Sequence, residues 1–329
     1  MASGAQAASG SLAARPRELV GQGGRALGGF SIDPPNPTFL VVAVHGMAEH
    51  SARYEITGRA IAEAGGAFWA YDQRGHGPGA QADGSLGHVA DRDGFTLLTQ
   101  DLFCVIDQAR AAHPGIPAFV LAQSMGSLVV RDYLQRYPDH AARLAGCVFS
   151  GTVGHPGLRG ALGLWYARAL ARIRGGRTPA PDLDAMVFGA YGARFRPLRT
   201  RFDWLSRDPA AVDAYVADPL CGFVCSTGFF ADLAEATLRV NGRRAARRTP
   251  ILVPVLVISG TRDPVGGFGT PVRRVAARYR SAGCTLWRCV LYPDARHELY
   301  HETNADAVRR DVVAWMQEPQ SQADISRSL

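Results

Sequence analysis

Short apolar runs alternate with helical patterns along most of this chain. That alternation leaves little room for anything but a mostly parallel sheet with helices on both faces. Phe39–Val44, Ala67–Tyr71, Ala118–Ala122, Gly146–Phe149, Val253–Ser259 and Thr285–Leu291 read as buried strands. Between them Arg53–Ala64, Asp93–Ala112, the stretch ending at Tyr137-Pro138, Pro271–Arg280 and Asp306–Met316 carry helical periodicity. Gly65-Gly66 and His113-Pro114-Gly115 supply the stop signals. The rhythm breaks from about Thr152 to Arg248. There the sequence has helix-like pieces, Gly/Pro/Arg-rich connections and no convincing strand. Asp208-Pro209 opens one of those helices as an N-cap followed by an N1 proline. The expected organisation is an α/β core over 17–151 and 249–318, a helical insertion over 152–248, and disordered tails over 1–16 and 319–329.

A chain of 329 residues with 47% hydrophobic and 20% charged residues can bury a full core. No uncharged apolar run approaches the length of a membrane span, and Met1 to Pro16 lacks the apolar centre of a secretory signal. The net charge of +7 comes wholly from arginine, since the sequence contains no lysine. The arginines are scattered apart from Arg243-Arg244 and Arg247-Arg248, with no interleaved aromatics, which argues against nucleic-acid binding. Attraction to an anionic membrane surface stays open. The six cysteines show no metal-binding spacing; Cys221 and Cys225 stand four apart without a companion cluster. Buried reduced thiols and a cytoplasmic location are therefore expected, with peripheral membrane contact as an open alternative, and no cofactor and no metal.

The candidate chemistry sits at Ala118–Gly126, where an apolar run ends in Gln123-Ser124-Met125-Gly126 and a helical pattern follows at once. A serine on a sharp strand-to-helix turn projects its hydroxyl into a cleft, provided small residues flank it two positions either side. Gly126 meets that need and Ala122 meets it with one extra methyl. Serine also needs a base oriented by a third group. Asp263 follows the strand Val253–Ser259 and His297 follows Thr285–Leu291, so the order is Ser, Asp, His. Backbone N–H groups of Met125 and of Met47, in the loop after Phe39–Val44, are the expected oxyanion donors. His45 reads as a hydrogen-bonded structural residue and Asp294 as a turn residue.

The stretches His45-Gly46-Met47-Ala48-Glu49-His50-Ser51, Asp72-Gln73-Arg74-Gly75-His76-Gly77, Gln123-Ser124-Met125-Gly126, Ser206-Arg207-Asp208-Pro209, Ser259-Gly260-Thr261-Arg262-Asp263-Pro264 and Tyr292-Pro293-Asp294-Ala295-Arg296-His297-Glu298 span nearly the whole ordered chain. Together they resemble the monoacylglycerol lipase and bacterial lysophospholipase branch of the α/β-hydrolase superfamily. The resemblance implies a doubly wound α/β-hydrolase fold with a helical cap. It also implies a Ser–His–Asp carboxylester hydrolase acting on small-molecule or lipid esters, of monoacylglycerol or lysophospholipid type. In that family the Asp72–Gly77 segment is mainly structural. Ala122 departs from the family's usual glycine.

Three rivals stand beside this reading. The same triad serves serine peptidases and thioesterases. His297-Glu298-Leu299-Tyr300-His301 matches the H-E-x-x-H zinc-protease signature, but a metzincin continuation is absent and few residues remain downstream for a third ligand. A non-catalytic relative used as a binding module would be expected to lose a triad member, and all three are present. In the insertion, Leu162, Trp165, Tyr166, Phe188, Tyr191 and Phe229 suit an acyl chain equally well as a small core of their own.

Overall fold

The structure is a computed structural model and describes residues 12–318. Its sheet contains the strands β1 (Arg15–Val20), β2 (Ala26–Ile32), β3 (Phe39–Val44), β4 (Gly66–Tyr71), β5 (Ala118–Gln123), β6 (Gly146–Ser150), β7 (Val255–Gly260) and β8 (Trp287–Tyr292). They lie in the order β1-β2-β4-β3-β5-β6-β7-β8. β1 pairs antiparallel with β2, and β2 with β4; from β4 to β8 all pairings are parallel.

Strands β3, β4, β5 and β7 are buried at every position, as continuous apolar runs covered on both faces must be. Alternate residues of β3 serve the two faces. Leu40, Val42 and Val44 join a core shared with the helices Gly94–Ala112, Met125–Arg136 and Thr270–Ser281. Phe39, Val41 and Ala43 join a second core with Glu55–Glu63 and Ala305–Gln317.

The N-terminal hairpin is a departure from the sequence reading. β1 begins at Arg15, so the sheet takes in the last two residues of the segment 1–16 expected as a tail. β1 is an edge strand on which only Leu19 is buried, and β2 carries Gly28-Gly29; neither has the apolar continuity that marks the inner strands. Gly29 is required where it stands, because a Cβ there would lie 2.2 Å from the Ala70 carbonyl oxygen. Residues 1–11 and 319–329, the rest of the expected tails, lie outside the described residues.

Between β6 and β7 come the helices Gly157–Arg174, Pro181–Gly192, Pro209–Ala217 and Thr227–Val240. Asp208 caps the third by accepting the Ala210 N–H, and Ser226 caps the fourth by accepting that of Phe229. This insertion is not a separate body. Ala167, Leu170, Leu183, Phe229 and Phe230 belong to the same continuous core as β3 and β5. No helix among the described residues is long and apolar enough to cross a membrane.

Candidate active site

The turn at Ser124 explains the composition around it. Ser124 has φ 50° and ψ −117°, a conformation that costs about 1–3 kcal/mol and persists only when its surroundings hold it. Its N–H donates to the Ser150 carbonyl, and the Ser127 N–H and hydroxyl both return to the Ser124 carbonyl. Gly126 lies against the end of β3: a Cβ there would sit 2.3 Å from the Val44 carbonyl oxygen. The methyl of Ala122 is fully buried and accommodated.

Asp263 and His297 meet. Asp263 accepts the His297 Nδ1–H at 3.0 Å and the Ser259 hydroxyl and Val265 N–H at 2.9 Å each. Burial pushes the Asp263 carboxyl up, but the imidazole beside it and these hydrogen bonds outweigh that and hold it below the usual carboxylate range. Burial pulls His297 down; the Asp263 charge and hydrogen bond, with Glu298 and Glu49 nearby, reverse this and raise it above an ordinary histidine. Ser124 and His297 line one cavity of about 350 Å³. They are not hydrogen-bonded to each other, as is common for such pairs before substrate tightens them.

Met47 and Met125 line the same cavity, and their N–H groups make no hydrogen bond within the described residues. The loop carrying Met47 is braced from behind. Glu49 accepts the Gly46 N–H at 2.6 Å and the Tyr54 hydroxyl at 3.0 Å. His45 accepts the Gln73 N–H on Nε2 and donates from Nδ1 to the Gly46 carbonyl. Burial lowers its pKa to about 3, so it stays neutral and structural. Asp294 lies exposed in a turn at φ 56°, its N–H donating to the Thr261 hydroxyl. Asp72 accepts the Ser51 N–H, and His76 donates to the Arg74 carbonyl.

The H-E-x-x-H stretch is not arranged as a metal site. Leu299–His301 forms a 3-10 turn rather than the α-helix that would align the two histidines, and His297 is committed to Asp263. His301 packs edge-on against Tyr54. Glu298 binds both guanidinium arms of Arg53, at 2.8 and 2.6 Å, while Arg53 also binds Glu49. Burial would raise Glu298, but the Arg53 charge overrides this and holds it at about 2. Glu49 goes the other way: burial dominates and raises it despite Arg53.

Several residues outside the expected triad and oxyanion donors complete the setting of His297. Gly151, at φ 59°, faces the ring: a Cβ there would stand 2.7 Å from Cε1 and 2.8 Å from Nδ1. Gln123 donates to the His297 carbonyl, and Trp204 packs with its ring centroid 5.3 Å from the imidazole. Phe188 stacks on Trp204 at 5.6 Å, and both line the cavity with Tyr191. The insertion's other aromatic and apolar candidates go elsewhere. Phe229 is buried in the main core, whereas Leu162 and Trp165 are exposed. Only Gln123, next to Ser124, had a signal in the sequence; Gly151 and Trp204 belong to no motif.

The serine aminopeptidase S33 family matches residues 35–304. A monoacylglycerol lipase of Mycolicibacterium smegmatis is 30% identical over 286 residues, which cover 85% of this chain and 89% of that protein. Human monoglyceride lipase is 23% identical over 290 residues, 86% of each chain. A solved carboxyl esterase from Bacillus coagulans superposes with a TM-score of 0.85 at 25% identity, covering 93% of this chain and 98% of the esterase. With this sheet order and these matches, the chain belongs to the serine aminopeptidase S33 family of α/β-hydrolases, in its monoacylglycerol lipase-like branch.

Proposed function

We propose that Ser124, His297 and Asp263 are the catalytic triad of this carboxylester hydrolase, and that its substrates are lipid esters with a single acyl chain, of monoacylglycerol or lysophospholipid type. The observation that carries the proposal is the shared cavity. It puts Ser124 and His297 at one wall and the largely apolar set Leu128, Val153, Leu183, Val187, Phe188 and Phe230 around the rest. A pocket of this size suits a drug-sized apolar ligand oriented by a few polar groups. The M. smegmatis relative, a monoacylglycerol lipase, supports the same substrate class.

In the proposed reaction the Ser124 hydroxyl attacks the ester carbonyl while His297 Nε2 takes its proton. Asp263 fixes the imidazole tautomer and stabilises the imidazolium. The Met47 and Met125 N–H groups receive the oxyanion, and His297 returns the proton to the departing alcohol. Water activated by His297 then releases the acyl group from Ser124. His297 must be neutral to act, and its pKa is raised. Turnover therefore climbs as pH rises through a value above the ordinary histidine range and levels off on the alkaline side.

Peripheral contact with an anionic lipid surface is the second part of the proposal. It is supported by the helix Gly157–Arg174, where Leu158, Trp165 and Ile173 are 78, 71 and 80% exposed beside Arg168 and Arg172. Six unpaired cysteines favour a reducing, cytoplasmic setting.

The test is a rate comparison on purified protein across monoacylglycerols, lysophospholipids, soluble p-nitrophenyl esters, thioesters and aminoacyl peptides, with and without a chelator. The expected result is highest kcat/KM on a single-chain lipid ester, not lowered by EDTA. Preference for the peptides would move the assignment to peptidase chemistry. Loss with EDTA restored by zinc would reinstate the metalloprotease reading.

A further inference from the structure

His50, Asp218 and Cys221 bring three metal-binding side chains to one place outside the triad. The Nε2 of His50 lies 2.8 Å from Asp218 Oδ2, and the ligating atoms of all three residues lie within 4.8 Å of one another. We propose that this trio is a binding site for a zinc-class divalent metal, and that the bound ion clamps the helical insertion onto the loop that carries Met47.

The donor set points to the class of ion. An imidazole, a thiolate and a carboxylate are the combination that zinc takes, with a fourth position left for water. Magnesium and calcium demand oxygen ligands and would leave the thiol unused. Zinc bonds of about 2.0–2.3 Å set tetrahedral ligands roughly 3.5 Å apart, so a small side-chain adjustment closes the trio on an ion. His50 and Cys221 are buried, while Asp218 is partly exposed and gives solvent a way in. The Asp218 Oδ1 is held by the Leu220 N–H, which keeps Oδ2 turned towards His50. Burial pushes the Cys221 thiol up, and Glu49, Asp218 and Glu298 add to this while Arg53 opposes it, so the thiol keeps its proton until an ion displaces it. Binding would release the thiol proton to solvent. The Nε2–H that His50 donates to Asp218 would be lost as well, leaving the imidazole with one proton on Nδ1 and Nε2 free for the ion.

The site joins two parts of the chain. His50 ends the loop after β3, whereas Asp218 and Cys221 follow the insertion helix Pro209–Ala217. Those parts already touch beside the cavity: the Gly222 N–H donates to the Ala48 carbonyl at 2.9 Å and the Tyr215 hydroxyl donates to the same oxygen at 2.8 Å. A metal bridge next to these two hydrogen bonds would hold the segment down where Met47, Ala48 and Gly222 line the cavity. Turnover of bulky lipid esters, which need that wall to yield, would fall. The site shares no ligand with His297 or His301, and the ester chemistry does not require it.

Cobalt(II) titration of the full chain tests the proposal, because a cobalt–thiolate bond announces itself by a charge-transfer band. The wild-type protein should gain that band, with tetrahedral ligand-field absorption, at one ion per chain, and zinc should displace it. Cys221→Ser should lose the band while keeping wild-type hydrolysis of a soluble ester without metal, which reports an intact fold. His50→Gln and Asp218→Asn should each weaken binding by more than about 10-fold. Zinc should slow monoacylglycerol turnover by the wild type and leave Cys221→Ser unaffected. No band in the wild type, or a band that survives Cys221→Ser, overturns the site. A band with no effect of zinc on turnover overturns the clamp.

Discussion

Strand β5, which ends one residue before Ser124, is buried along its whole length, whereas on the insertion helix Gly157–Arg174 Leu158, Leu162, Trp165 and Ile173 stand in solvent. Both regions are rich in apolar residues, so composition does not separate them. What separates them is the number of partners. β5 is paired on both edges and covered on both faces, and the residues at its end are fixed by backbone contacts as short as that between Gly126 and the β3 carbonyls. The helix has the core on one side only, through Ala167 and Leu170. Geometry that must be right to a fraction of an ångström sits at the carboxyl ends of the central strands. Contacts that tolerate variation sit on the insertion. Changes at these strand ends should therefore damage every substrate alike, and changes on the outer insertion should discriminate among substrates.

The largest effect is expected at Ser124. Ser124→Ala should cut kcat by about 10⁶ on every ester and abolish labelling by a fluorophosphonate, with the fold retained. Labelling that persists in this variant would remove Ser124 from the mechanism. Next comes the acid. Asp263→Asn should cost about 10⁴ in kcat. By removing the charge that raises His297, it should also move the acid limb of the residual activity to lower pH. Asp294→Asn, at an exposed turn position held through its backbone N–H on Thr261, should cost less than about 10-fold. Reversed magnitudes in kcat measurements on one short ester would show that the wrong aspartate has been chosen.

These positions differ in how far the sequence declares them. The inner strands are continuous apolar runs between clear stop signals, and Ser124, Asp263 and His297 each stand just beyond one, so their order was legible. The N-terminal hairpin was not, because an edge strand with one buried residue has no need of an apolar run. The supports of His297 were hidden for another reason. Gly151, Gln123 and Trp204 act through contacts across β5, β6 and the insertion, separations of tens to more than a hundred residues that no local pattern records. Glu298 was visible but ambiguous: next to His297 it completes a zinc signature, and only the position of Arg53 shows which partner it has.

Gly151 turns that hidden layer into a measurement. A methyl at this position would press on His297 Cε1 and Nδ1 and on the Gln123 amide, on a backbone whose positive φ already disfavours it. Displacing a catalytic group by about 1 Å costs on the order of 10² in rate. Gly151→Ala should therefore lower kcat by about that factor on soluble and lipid esters alike, with little change in KM. If circular dichroism and thermal melting show a folded protein with undiminished kcat, the ring does not depend on this seat.

The smallest expected effect tests the other side of the comparison. Leu162 and Trp165 project from the insertion helix and line neither the cavity nor the core, so replacing both with serine removes no contact that holds the triad. Hydrolysis of a soluble p-nitrophenyl ester should stay within about 2-fold of wild type, as surface substitutions away from buried features generally do. Hydrolysis of a monoacylglycerol carried in anionic vesicles should fall several-fold, and co-sedimentation with those vesicles should weaken. Neutral vesicles should show less difference, because Arg172 flanks the apolar residues and draws the helix towards negative charge, while Arg168 is partly offset by its ion pair with Glu235. If the double variant loses both activities together, the outer face of the insertion is tied to the ends of the central strands more tightly than its exposure indicates. If it loses neither, the exposed face has no part in reaching a lipid surface.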